Sequence, residues 1–94
     1  MKTKVNIRKA QPADIVQVHG LIVELAEFEK ALDEMELTPE QLHHDSFGEK
    51  PILEIIVAEG NDQILGAAMF YEKYSTWKGR SVHLEDFVVK ASER

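Results

Sequence analysis

Apolar and polar residues alternate around Val5 and Ile7 in "KVNIRKA" (4–10), the period-two pattern of a strand with one buried face. The period then lengthens. Ile15, Val18, Ile22, Leu25 and Phe28 recur at helical spacing, so 12–31 reads as a long amphipathic helix. Pro12 suits its first position, and Asp14 suits the positive end of the helix dipole. Gly20 inside this helix costs about 1 kcal/mol relative to alanine, and close approach to a neighbouring element is the plain explanation. "LTPEQLHHDSFG" then carries a capping box. Thr38 caps, Pro39 opens the helix and Gln41 reaches back to the cap amide, which predicts a second helix over 38–46 ending near Gly48.

Three strands follow: 52–59, 63–74 and 81–89. Gly60-Asn61-Asp62 and Lys78-Gly79 are hairpin signals between them, so these strands form an antiparallel meander. The expected order is β-α-α-β-β-β, an α+β chain with a mostly antiparallel sheet. The last run, "VHLEDFVV" (82–89), is the anomalous one, with Glu85 and Asp86 side by side in an otherwise core-like strand. Strand geometry sends neighbours to opposite faces, so without a bulge or a polar partner one carboxylate would face apolar surroundings. A solvated acid on an unprotected edge and a substrate site both fit this pattern. A Val- and Phe-rich terminal strand is also a template for pairing with another chain.

Composition narrows the classes. The 94 residues make one small domain, which buries only about 60–65% of the surface its unfolded chain exposes. Hydrophobic residues at 44% and charged residues at 30% fit a globular domain. A net charge of −6 argues against nucleic acid and fits attraction for cationic small molecules. There is no cysteine, which removes disulfides, thiolate metal sites and thiol nucleophiles. "MKTKVNIRKA" has no apolar targeting core and no run approaches membrane-spanning length, so no membrane role is expected and the cytoplasm is the default. His43-His44-Asp45 has no properly spaced third ligand, so no metal is expected there; His19 and His83 have no partner legible in the sequence.

"VNIRKAQPAD" resembles the opening of the GNAT superfamily of acetyl-CoA-dependent N-acetyltransferases. "LIVELAEFEKA", "LTPEQLHHDSFGEKP", "GAAMFYEKYSTWKGR" and "HLEDFVV" resemble, in order and spacing, its diamine (spermidine/spermine) acetyltransferase-like branch, including relatives acting on thialysine. The resemblance covers nearly the whole chain. It implies that 1–94 is the N-terminal portion of such a domain, because "KASER" stops short of the glycine-containing loop that grips the coenzyme A pyrophosphate. It further implies that Glu85 binds or deprotonates the amine, with Glu29, Trp77 and Asp86 lining the substrate channel. Phe87 and Val89 would hold acetyl-CoA through free backbone groups. Taken as residues alone, Glu29 is one more acid on a helix face and Trp77 a turn-capping aromatic.

Ser75 and Phe28 depart from the polyamine pattern, where an acid and a tyrosine stand, which favours a smaller amine. The expected partners are a small-molecule amine, coenzyme A and a second copy of the chain in a homodimer or larger assembly. Two other readings remain open: an inactive truncated fragment that self-associates through its exposed edge, and a small cation-binding module built on Glu29, Glu85 and Asp86. Without a pyrophosphate loop the 94-residue chain should bind coenzyme A poorly; calorimetry is the check, and micromolar affinity would contradict the expectation.

Overall fold

The computed structural model describes residues 4–93; residues 1–3 and 94, at the two ends of the expected domain, lie outside the described residues. Strand β1 (Asn6–Lys9) leads through a 3-10 turn (Pro12–Asp14) into helix α1 (Ile15–Phe28). A second 3-10 turn (Leu32–Glu34) precedes helix α2 (Pro39–Phe47). Strands β2 (Glu54–Gly60), β3 (Gln63–Ser75) and β4 (Gly79–Val89) follow, with a last 3-10 turn over Ala91–Glu93. All neighbours in the sheet, ordered β1-β2-β3-β4, run antiparallel. This is the β-α-α-β-β-β order that the periodicity predicts.

The helix boundaries differ from expectation for identifiable reasons. The first helix is shorter than 12–31, because Pro12–Asp14 is wound as a 3-10 turn and Lys30 takes a left-handed conformation (φ 57°). Around Lys30 the chain closes a Schellman motif: Ala31 N–H donates to the Ala26 carbonyl at 2.8 Å, and Lys30 N–H to Glu27 at 3.0 Å. A lysine in a place usually taken by glycine hides this stop from the sequence. The second helix starts as predicted, with Thr38 Oγ1 accepting from Gln41 N–H at 3.1 Å and Gln41 Oε1 accepting from Thr38 N–H at 3.0 Å. It ends at Gly48, where a Cβ would lie 2.4 Å from the His44 carbonyl oxygen. Gly20 does not mark a close approach: a Cβ there meets nothing within 4 Å.

The hairpins follow their turn residues. Asn61 (φ 52°) and Asp62 (φ 61°) form the two-residue β2–β3 connection, both in the left-handed region of a type I′ turn. Thr76–Lys78 connects β3 to β4 and is closed by Gly79 at φ 81°. Ser75 Oγ accepts from the Trp77 and Lys78 amides at 3.1 and 3.2 Å.

Both helices cover one side of the sheet. Ile15, Val18 and Leu21 of α1 and Leu42 of α2 pack with Ile55, Val57, Ile64, Ala67, Met69 and Val88. Ile22 and Leu25 pack on this core as expected, whereas Phe28, the last of the predicted stripe, is 72% exposed because it lies at the end of the shortened helix. On the opposite side Ile7, Val82, Leu84 and Phe87 stand exposed.

The start of α1 is fixed by an ion-pair network. Arg8 donates to both carboxylate oxygens of buried Asp14, at 2.7 and 3.1 Å, and to Glu59 Oε1 at 3.2 Å. Asp14 Oδ2 also accepts from Gln11 N–H at 2.7 Å, so one carboxylate ties β1 and the helix start together while the same arginine reaches β2. The hydrogen bonds from Arg8 hold the Asp14 carboxyl below the usual carboxylate range; burial opposes them and the Gln11 amide reinforces them. A carboxyl depressed by folding stabilises the folded chain above its unfolded value of about 3.9, and that contribution is lost as pH falls through the folded value. Asp14→Asn should therefore destabilise the chain at pH 7 by roughly 1–2 kcal/mol, the scale of a lost cap interaction. Urea midpoints at neutral and acidic pH check this, the gap between wild type and variant narrowing as pH falls below the carboxylate range.

Candidate functional site

The two adjacent acids of β4 are explained by the β3–β4 ladder. Met69 faces Asp86 and Phe70 faces Leu84, so Glu85 has no partner and forms a β-bulge. The bulge changes which side each residue serves. Asp86 and Val88 lie on the side of Met69 and Ala67, the helix-covered side, whereas Phe87, Leu84 and Val82 lie on the side of Ala68, Phe70 and Glu72. Glu85 Oε1 is 3.8 Å from His83 Nε2, and the His83 ring packs at a tilt against Tyr71 of the same side. Both carboxylates are thus directed to one side of the sheet. Unbulged alternation would have separated them.

The backbone beyond the bulge is arranged along an edge, since β4 is the last strand of the sheet. Lys90 N–H donates to the Leu65 carbonyl at 2.7 Å, in register with the Val88–Ala67 and Asp86–Met69 pairs. Hydrogen-bonded and non-hydrogen-bonded pairs alternate in an antiparallel ladder. Phe87 and Val89 therefore turn their backbone groups away from β3. The Phe87 amide is not free as expected, because it donates to Asp86 Oδ1 at 3.0 Å.

The remaining expected residues stand apart. Glu29 is the C-cap of α1 and its side chain is exposed; Trp77 lies in the β3–β4 turn, 93% exposed. Neither is joined to Glu85 or Asp86 by a hydrogen bond or ion pair among the described residues. Helix α1 does pack against β3 and β4, and Glu24 of α1 accepts from Ala91 N–H just past β4. His19 has a structural partner, the Leu37 carbonyl, 2.7 Å from its Nε2. Among the described residues no cluster of His, Cys, Asp and Glu is arranged to hold a metal ion, and no helix is long and apolar enough to cross a membrane.

A cleft of about 710 Å³ lies elsewhere. Its walls include Phe47, Leu53, Ile56, Phe70 and Tyr71, between the end of α2 and the far part of the sheet. None of the expected site residues lines it.

No family model matches the chain. A thialysine N-epsilon-acetyltransferase of Bos taurus is 42% identical over 96% of this chain and 58% of its own length. The spermidine/spermine N(1)-acetyltransferase-like protein 1 of Homo sapiens is 42% identical over 88% of this chain and 13% of its own length. Among solved structures, a possible acetyltransferase from Clostridium difficile 630 superposes with a TM-score of 0.71 at 19% identity, over 96% of this chain and 60% of that one. The chain is a relative of the GNAT N-acetyltransferases. It spans a little over half the length of the thialysine acetyltransferases it matches, covering their N-terminal half. An aminoglycoside N-acetyltransferase in complex with CoA has the same fold, with a TM-score of 0.65 at 17% identity over 98% of this chain and 59% of that one.

Removing the Asp86 carboxylate tests the edge geometry directly. In Asp86→Ala the Phe87 amide should exchange with solvent about fivefold faster, the scale of one net hydrogen bond of about 1 kcal/mol. The Val88 amide, at a ladder position, should be unaffected in the same hydrogen-exchange NMR experiment.

Proposed function

We propose that this chain carries the amine-recognising portion of an acetyl-CoA-dependent N-acetyltransferase of small amines. The observation that carries the reading is the bulge: Glu85 and Asp86 fall on one side of β4, next to a stretch whose backbone faces an open edge. An amine is protonated near neutral pH and must lose a proton before it can attack an acyl carbon. Glu85 takes that proton, directly or through water, as the general base. Asp86 and, from the end of α1, Glu29 hold the cationic substrate, in keeping with the net charge of −6. Trp77, exposed in the β3–β4 turn, takes the channel-lining role that the family resemblance implies.

The acyl donor fits the edge beside the acids. The outward backbone of Phe87 and Val89 suits an extended acyl-carrying arm, and the Phe87 N–H suits the acyl oxygen where negative charge develops. Acetyl-CoA supplies the activated acyl carbon; the chain supplies orientation, a proton acceptor and a backbone donor. Asp86 has to yield the Phe87 amide for that donor to act. A small amine suits the site better than a long polyamine, because the Ser75 hydroxyl is committed to the turn amides and Phe28 brings no polar group. The exposed apolar side of the sheet, with Ile7, Val82, Leu84 and Phe87, favours association with a second copy in a homodimer. The cytoplasm is the proposed compartment.

The test is acetyl transfer by the protein carrying this chain, measured from pH 6 to pH 10 for wild type and Glu85→Gln. Glu85→Gln should lower the rate by roughly 100-fold or more near neutrality, the low end of general-base contributions, and recover at high pH where the amine is already neutral. An unchanged pH–rate profile would remove Glu85 from the mechanism.

A further inference from the structure

The bulge leaves Glu85 without a residue opposite it on β3, so no cross-strand neighbour confines its side chain. The carboxylate is also 62% exposed, and a glutamate in that setting has several rotamers open to it. A proton acceptor needs one of them. What lies beside it is His83, two residues earlier on the same strand. His83 Nε2 is 3.8 Å from Glu85 Oε1, and His83 is itself only half-exposed. The imidazole is in turn restrained: Tyr71 stands opposite it in the ladder, with ring centroids 5.1 Å apart and planes inclined at 52°. The other charged groups on this side of β3 and β4 are Asp86, opposite Met69, and Lys73, opposite Ser81. Among the described residues the basic group within 4 Å of the Glu85 carboxylate is the His83 imidazole, an ion pair only when that ring is protonated, and Lys73 makes no ion pair with it.

We propose that His83 is a positioning residue for Glu85. Clamped against Tyr71, it presents Nε2 to the carboxylate and selects the rotamer that keeps Glu85 on the helix-covered side, beside Asp86. The role depends on the amine-binding assignment of Glu85 made above. It gives a function to a histidine that the chemistry of the acids alone leaves unused. Tyr71 joins the device as the surface that stops the imidazole from turning away.

Two substitutions separate the ring from its nitrogens. His83→Phe keeps an aromatic ring on Tyr71 and removes the nitrogens, whereas His83→Gln keeps a hydrogen-bonding head and removes the ring. NMR on the isotopically labelled chain reads the Glu85 carboxyl carbon and the His83 ring nitrogens, and 1,3-diaminopropane serves as the amine probe. The Glu85 carboxyl signal should move in His83→Phe, and the His83 ring signals should move in Glu85→Gln. The diamine should bind His83→Phe about three- to fivefold more weakly than wild type, the scale of a half-exposed ion pair, with part of the loss restored in His83→Gln. Glu85→Gln alters an exposed side chain, so it reports on the pair even where a His83 variant fails to fold.

His83 ring signals indifferent to Glu85→Gln would overturn the positioning role whether or not the diamine binds. Equal diamine affinity in wild type and folded His83→Phe would overturn it as well. Coupled Glu85 and His83 signals in a wild-type chain that binds no diamine would instead sink the amine assignment of Glu85, and the role of His83 with it. The two failures are therefore distinguishable.

Discussion

Two consecutive side chains cannot occupy the same side of a regular strand, because the pleat sends them to opposite sides. In β4 the ladder gives way at one residue, between the Asp86–Met69 and Leu84–Phe70 pairs, and every later residue changes side as a result. Without that extra residue Asp86 would exchange sides with Phe87, and Val88 would leave the core it shares with Ala67 and Met69. Packing therefore enforces the bulge. Val88 is almost fully buried, and returning it to the wrong side would expose it and place Phe87 under the helices. The acid pair is held by the apolar residues around it more than by any bond the acids make.

The helix layer decides which side of the sheet that is. Helix α1 is seated by buried Val18 and Leu21, and its start is tied down by Asp14 between Arg8 and the Gln11 amide. Because Arg8 also reaches Glu59, the helix start is referenced to β1 and β2 at once. The far end of α1, with Glu29 at its cap, is set by the Schellman closure at Lys30. Two local devices thus define the length and placement of the helix that faces β4. Neither depends on the acids, so the site can be altered without dismantling the layer that frames it.

The element order, the capping box at Thr38 and both hairpins were legible because each rests on local residues: a period, a cap, a left-handed turn. The Schellman stop was not, since lysine is an unusual residue for φ 57° and carries no signal. Phe28 kept the helical period although the helix ends there, so period alone overextended the buried stripe. At the site the adjacent acids were visible as a conflict with strand geometry, and a bulge was one of the ways out. Which residue bulges is a question of register against β3, seventeen residues away in sequence at the Asp86–Met69 pair, and no local pattern contains it. The Tyr71–His83 contact was hidden for the same reason. Family resemblance supplied the roles proposed for Glu29, Trp77, Phe87 and Val89, which the composition of the chain could not.

Residues 85–89 end up presenting three surfaces from five positions. Glu85, Asp86 and Val88 belong to the helix side, the Phe87 side chain to the uncovered side, and the backbone of Phe87 and Val89 to the edge. The division has a physical consequence for Phe87. Its ring contributes to the exposed apolar surface with Leu84 and Val82, while its amide points along the edge and is held by the carboxylate of the preceding residue. Side chain and backbone at this position therefore answer to different constraints: the ring to whatever covers the sheet, the amide to the acid beside it. A strand can meet both demands only because the backbone groups lie in the plane of the sheet and the side chains stand perpendicular to it.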